Sequence, residues 1–133
     1  MTITDVVPLP PSEAILVRAS ASFHTNDDDK DFDTTLVISV EKGVDQFAKS
    51  ELIVGDTFED HRNQGPFSLR IQGTNSKLDL RGGTSTITIQ PNGNDTWRFN
   101  YFLELTFNDG SVQAFSFFGN ELKEDRNIKT FPL

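Results

Sequence analysis

The sequence predicts an all-β fold, an antiparallel β-sandwich of about seven strands, for one domain of 133 residues. Several segments alternate apolar and polar residues, which is typical of strands that bury one face and leave the other in water. The 12 phenylalanines, together with the valines, isoleucines and threonines, favour strands. The helix formers never gather into a long amphipathic run, so helices are expected to contribute little.

The first half of the chain predicts an extended arm and four strands. Residues 1–13 contain three prolines, which block helix and strand pairing alike, so this segment is predicted to form the arm. The first strand is expected to bury Ile15, Val17, Ala19, Ala21 and Phe23. The second is expected to bury Leu36, Ile38 and Val40, and the fourth Phe67, Leu69 and Ile71. A less regular third strand is expected near residues 47–54.

The second half of the chain gives the clearest strand signals. Ile87 and Ile89 mark a fifth strand. The sixth strand has the longest apolar stripe, formed by Trp97, Phe99, Tyr101, Leu103, Leu105 and Phe107. The sequence "NDG" at 108–110 is a hairpin turn of the kind that tolerates positive φ. It leads into "SVQAFSFF", which is predicted to return as the seventh strand.

These strands make one domain over residues 14–122, and residues 123–133 are expected to trail from it. Phe131 and Leu133 are expected to dock on the core. The N-terminus has neither the basic start nor the apolar run of a signal peptide, and no segment approaches the roughly 18 apolar residues of a spanning helix. The sequence therefore carries no prediction of localisation.

The charge balance argues against several classes of partner. The net charge is −8 and no cluster of lysine and arginine interrupts the acidic residues, so nucleic acid is not expected as a partner. An anionic membrane surface would attract the protein only through a bridging cation. The absence of cysteine excludes disulfides, thiolate metal sites and a cysteine nucleophile. No motif of a hydrolase, a nucleotide-binding loop or a zinc protease is present, and we expect no enzyme.

Three acidic loops are predicted to meet at one end of the sandwich. When successive strands alternate in direction, the loops after strands one, three and five share an end. These loops, residues 26–33, 55–65 and 91–96, carry Asp27, Asp28, Asp29, Asp31, Asp33, Asp56, Glu59, Asp60 and Asp95. Clustered carboxylates with amide oxygens beside them are the hard ligands that Ca²⁺ takes in groups of about six to eight.

The acidic stretch over residues 24–35 also fits a metal-free interpretation, in which it is a solvated loop tip that keeps the protein soluble. The spacing does not fit an EF-hand. Counting from Asp29 puts Thr34 where that loop needs glycine and Val40 where it needs glutamate. Zinc is poorly supported, because the chain has two histidines and no cysteine. A calcium site and a solvated loop are both compatible with the residues.

Three phenylalanines outside the predicted stripes are candidate ligand contacts. Alternation places Phe102 on the outer face of the sixth strand, where it either packs under a loop or meets a ligand. Phe32 and Phe58 lie in the acidic loops, and we favour a role as loop anchors over one as insertion tips.

Two blocks of the sequence resemble the PLAT/LH2 domain family. "ILVRASASFHTNDDDKDFDTTLVISV" is similar to the opening of that domain, and "TITIQPNGNDTWRFNYFLELTFNDGSVQAFSFFGNEL" is similar to its last third. The resemblance implies a C2-like β-sandwich of about seven to eight strands that binds membranes or partner proteins, often with Ca²⁺ at the loop end. It implies cation ligands among Asp27, Asp29, Asp31, Asp33 and Asn94–Asp95, and Trp97 as a core anchor.

The first functional hypothesis is a non-catalytic, calcium-dependent binding module that engages lipid head groups or a partner protein through the acidic loops. Its candidate metal ligands are Asp27, Asp29, Asp31, Asp33, Asp56, Asp60, Asn94 and Asp95, and its candidate ligand contacts are Phe32, Phe58 and Phe102. A second hypothesis is a carbohydrate-binding or appendage-type sandwich with structural calcium, which requires an exposed aromatic platform. A third is an acidic protein-interaction domain without metal.

Overall fold

The computed structural model describes residues 13–27, 30, 34–53, 58–90 and 96–133, which form eight strands and one helical turn. The elements in chain order are β1 (Leu16–Thr25), β2 (Thr35–Lys42), β3 (Asp45–Lys49), β4 (Asn63–Ile71), α1 (Lys77–Leu80), β5 (Thr84–Gln90), β6 (Thr96–Phe107), β7 (Val112–Lys123) and β8 (Ile128–Pro132). In this described part of the chain, no helix is long and apolar enough to cross a membrane.

The strands form one continuous sheet in the order β7-β6-β1-β4-β3-β2-β5-β8, and every neighbouring pair is antiparallel. Strand β4 joins two four-stranded layers, because its start pairs with β1 and its end pairs with β3 at Ala48 and Lys49. The sheet curls until the edge strands approach, with the rings of Phe117 and Phe131 4.7 Å apart. The predicted all-β antiparallel sandwich is confirmed, in a form close to a barrel.

The core between the layers is built around the aromatic stripe of β6. All six residues of the predicted stripe are at most 1% exposed, which confirms Trp97 as a core residue. Its indole Nε1 donates to the hydroxyl of Thr25 at 3.0 Å. Tyr101 shares a 2.8 Å hydrogen bond with Ser85 of the opposite layer, and burial raises the pKa of its phenol. The two layers are thus joined by apolar packing and by a polar contact inside the core.

The start of β1 differs from its predicted alternation. Its register against β6 shifts between Leu16 and Arg18, so one extra residue bulges from the strand. Leu16 is buried in consequence, while Val17 is 52% exposed and Ile15 is only partly buried. The prediction that Val17 points inward is therefore wrong, because a bulge reverses the parity of every residue before it.

Two other segments differ in extent from the prediction. Strand β3 begins before the predicted range 47–54 and is shorter, and Ile53 forms only an isolated bridge with Leu36. The C-terminal segment 123–133 adds strand β8, which pairs with β5 and which the alternation pattern did not predict. Phe131 in β8 is 3% exposed, so its docking on the core is confirmed. The predicted arm lies outside the described residues except for its last position.

Gly65 lies where β4 passes close to β1, and its replacement is expected to be costly. Its φ is +100°, and a Cβ there would lie 2.9 Å from the carbonyl oxygen of Ala21. We expect Gly65→Ala to lower the free energy of unfolding by more than about 1 kcal/mol in chemical denaturation. Gly43→Ala is the control, because Gly43 also has positive φ but has no atom within 4 Å of the place that a methyl group would occupy. Equal losses of unfolding free energy in Gly65→Ala and Gly43→Ala would contradict the inference that the close approach to Ala21 makes the replacement costly.

Candidate functional site

The loops after β1 and β3 and the start of β6 meet at one end of the sandwich, as the strand order predicts. The N–H of His61 donates to the carbonyl oxygen of Thr25 at 2.8 Å, and the N–H of Thr25 donates to that of Arg62 at 3.0 Å. The N–H of Asn26 donates to the carbonyl oxygen of Arg98 at 2.8 Å. We call these segments (residues 26–27, 30, 58–62 and 98) the loop end.

Lys30 is the central residue of the loop end. It is fully buried, and its ammonium donates to the carbonyl oxygen of Thr34 at 2.9 Å. The same ammonium lies 4.5 Å from the centroid of the Phe58 ring, which is the geometry of a cation–π contact. The backbones of Lys30 and Phe58 exchange two hydrogen bonds, at 3.2 and 3.0 Å. One residue thus joins the loops after β1 and β3 through both its backbone and its side chain.

A buried lysine is rare, because an ammonium loses its hydration when it leaves water and must be compensated inside the protein. Here a carbonyl oxygen and an aromatic face provide part of that compensation. Five aspartates lie between Asp27 and Asp33 in the sequence around this lysine. The chain therefore places a positive charge of its own within its most acidic segment.

The structure describes only two of the eight candidate metal ligands. Asp27 is exposed and has Oδ2 3.4 Å from Nη1 of Arg98, and Asp60 is exposed in a turn. The other six, with Phe32, lie outside the described residues: Asp29, Asp31, Asp33, Asp56, Asn94 and Asp95. Among the residues whose positions are described, no three histidine, cysteine, aspartate or glutamate side chains are grouped to hold a metal ion.

Among the described residues, Arg98 contacts the carboxylates of Asp27 and Glu121 at this end. Its Nε donates to Oε2 of Glu121 at 2.9 Å, and this hydrogen bond is the main reason that the pKa of Glu121 lies below its ordinary value. Its Nη1 forms the longer ion pair with Asp27. These pairs are open to solvent, so we expect them to orient side chains more than to stabilise the fold.

Phe58 and Phe102 have different environments. Phe58 is 2% exposed and its ring contacts those of Phe23 and Trp97, which agrees with the favoured prediction that it anchors its loop. Phe102 is partly buried on the outer face of β6, where its ring meets that of Phe118 at 5.8 Å. Phe118 is 68% exposed.

Lys30 and Phe118 are two residues to which the sequence patterns gave no role. A signal was present for each: a single lysine inside a run of aspartates, and two adjacent phenylalanines followed by glycine in the seventh strand.

The sequence matches no protein-family model and no curated protein. The resemblance to the PLAT/LH2 family therefore stays a prediction, and functional proposals depend on the geometry and charge of the chain itself.

Proposed function

We propose that the chain is a non-catalytic binding module and that its loop end binds a basic segment of a partner protein. The observation that carries this proposal is the burial of Lys30 against Phe58, by which two residues of the chain itself join the loops after β1 and β3. Of the acidic residues at the loop end, those that the structure describes then present their negative charge on loops that are joined to each other. Asp27, Glu59 and Asp60 are exposed at this end.

Electrostatic attraction supports a basic ligand. The chain carries a net charge of −8, and the stretch 26–33 holds five aspartates against one lysine. A surface with one dominant sign of charge speeds the encounter with a partner of the opposite sign, and salt weakens this effect. Binding that depends on the loop end is therefore expected to fall as ionic strength rises.

Octalysine is a simple probe of this proposal. We expect saturable binding that weakens between low and high salt, and we expect Asp27→Asn and Asp60→Asn each to weaken it by up to about fivefold. Asp45→Asn is the matched control, because Asp45 is also exposed but begins β3 at the opposite end of the sandwich. Equal loss in all three variants, or no binding to octalysine at low salt, would reject the loop end as the binding surface.

A calcium-assisted module is the second candidate, and the hydrogen bonds that join the loops after β1 and β3 favour it. The ligands would be those predicted from the sequence, of which Asp27 and Asp60 lie at the loop end. A bound Ca²⁺ would supply charge for bridging to lipid head groups or to an acidic partner. Lys30 argues against an ion in its immediate vicinity, because two like charges close together disfavour each other.

Thermal melting with Ca²⁺, with Mg²⁺ and with a chelator separates the two candidates. An ion that binds only the folded state adds about 2.7 kcal/mol of stability at 100 times its Kd. The calcium-assisted module requires such a shift, and it requires Asp29→Asn with Asp31→Asn to abolish it. The metal-free module predicts the same melting temperature in all three conditions. Sedimentation with anionic vesicles, with and without Ca²⁺, then tests the lipid surface.

A further inference from the structure

The outer face of the β4-β1-β6-β7 layer carries a groove that the loop end does not include. It has a volume of about 370 Å³, and the residues that matter in its lining are Ser20, Ser22, Pro66, Phe102, Glu104 and Ser116. This volume lies within the range of small-ligand sites, which begins at about 300 Å³. Phe118 lies beside the groove, and the plane of its ring makes an angle of 80° with the plane of the Phe102 ring.

Strand register places these groups in a line across the sheet. Ser22 of β1 lies opposite Phe102 of β6, and Phe102 lies opposite Ser116 of β7. Pro66 adds a ring from β4, on the far side of β1. Neighbouring strands are about 4.8 Å apart, so the line from β4 to β7 extends over about 14 Å. An elongated ligand that crosses the strands would meet the ring of Pro66 on β4 and the ring of Phe102 on β6, with Phe118 of β7 beside the latter.

A β-bulge fixes the position of Phe118. The register of β6 and β7 shifts between the pairs of Tyr101 with Phe117 and Phe99 with Asn120, which leaves two β7 residues opposite one. Gly119 has a φ of +68°, and its N–H donates to the side-chain oxygen of Asn100 at 3.0 Å. Bulges of this kind redirect side chains and are common beside functional sites. The exposed ring is thus held on a hydrogen-bonded strand rather than on a loop.

The groove carries little charge and is rich in hydroxyls. Ser20, Ser22 and Ser116 make no side-chain hydrogen bond with any other residue in the described ranges. Glu104 is exposed and forms no ion pair within the same ranges, so its carboxylate is an available acceptor. In a chain with 24% charged residues, this lining contains one charged side chain. A basic ligand would meet little charge here, and an apolar helix would cover the serine hydroxyls.

We propose that this face binds a neutral oligosaccharide that runs across the strands. The C–H face of a sugar ring stacks on the exposed ring of Phe118, Phe102 adds apolar contact from the lining of the groove, and the carboxylate of Glu104 accepts hydrogen bonds from sugar hydroxyls. β-1,4-linked sugars with equatorial hydroxyls fit best, because both faces of each ring then present C–H groups to an aromatic surface. The proposal is independent of calcium and of the acidic residues at the loop end.

Calorimetric titration with cellohexaose and with xylohexaose tests the proposal, in chelator so that calcium plays no part. We expect saturable binding of at least one of them. Phe118→Ala is expected to weaken it by roughly three- to tenfold, from the loss of one stacking partner. Glu104→Gln is expected to weaken it as well. Val112→Ala is the control, because Val112 is 51% exposed on the same strand and outside the groove.

Three results would overturn the inference: no binding of either hexasaccharide, equal affinity in the wild type and Phe118→Ala, or equal weakening by the Val112→Ala control. Sedimentation velocity adds a separate readout. If the wild type forms a dimer that Phe118→Ala dissociates, and neither sugar binds, the exposed ring serves self-association and not a glycan. Phe118 is exposed, so the variant is expected to fold as the wild type does, which thermal melting verifies.

Discussion

Replacing Lys30 with methionine is expected to lower the free energy of unfolding by about 2–4 kcal/mol. Methionine keeps an unbranched side chain of similar length but removes the ammonium. The buried carbonyl oxygen of Thr34 then loses the hydrogen bond from the ammonium, and the ring of Phe58 loses its contact with the cation. Urea denaturation of the two proteins, at the same pH and salt, measures the difference.

The control for this change is Lys49→Met, which makes the same substitution at an exposed lysine. Its effect is expected to stay within about 0.5 kcal/mol. Replacing a buried charge by an apolar group sometimes stabilises a protein. An unchanged or higher free energy of unfolding for Lys30→Met would therefore also have a clear physical meaning. A Lys30→Met variant as stable as the wild type would show that the hydration lost on burial offsets what the contacts of the ammonium contribute, and the role of Lys30 in fixing the loops would be rejected.

Phe23→Ala is expected to cost about 3–5 kcal/mol, the range for truncating a buried aromatic residue. The ring of Phe23 is 1% exposed and lies at the centre of the core. Its centroid is 5.1 to 6.1 Å from those of five other rings, which belong to Phe58, Phe67, Trp97, Phe99 and Tyr101. Rings from two strands and one loop surround the site, so a cavity there cannot collapse through the movement of a single side chain.

Phe118→Ala is the matched control, since it removes the same ring from the exposed side of β7. We expect it to change the free energy of unfolding by no more than about 0.5 kcal/mol. Both variants are measured by the same urea titration, with near-ultraviolet circular dichroism to report on the packing of the aromatic cluster. A cost at Phe23 no greater than at Phe118 would contradict its central position in the core.

The alternation of apolar and polar residues predicted burial correctly where a strand is long and one of its faces is fully covered. The six-residue stripe from Trp97 to Phe107 is such a case, and every member is buried. Alternation failed at Val17, because a bulge depends on how two distant strands align and leaves no mark in the local pattern. It also missed β8, whose five residues end at a proline and are too few to establish a period.

The candidate site was predictable only in outline. Antiparallel order was sufficient to bring the loops after β1 and β3 together, since that depends on the number of strands alone. The burial of Lys30 was not predictable, because it depends on contact with Phe58, which lies in another loop. For the same reason, the sequence showed a single lysine inside a run of aspartates but gave no information on the burial of that lysine.

The position of β1 between β6 and β4 has a consequence for the order of folding. Its two hydrogen-bonded neighbours are β4, which ends at Ile71, and β6, which ends at Phe107. A ribosome adds about 5–20 residues per second, so several seconds pass between the synthesis of β1 and the synthesis of the second of its two neighbours. During that interval its apolar face is open to other chains. We therefore expect the first strand of a nascent chain to be the segment most dependent on chaperones.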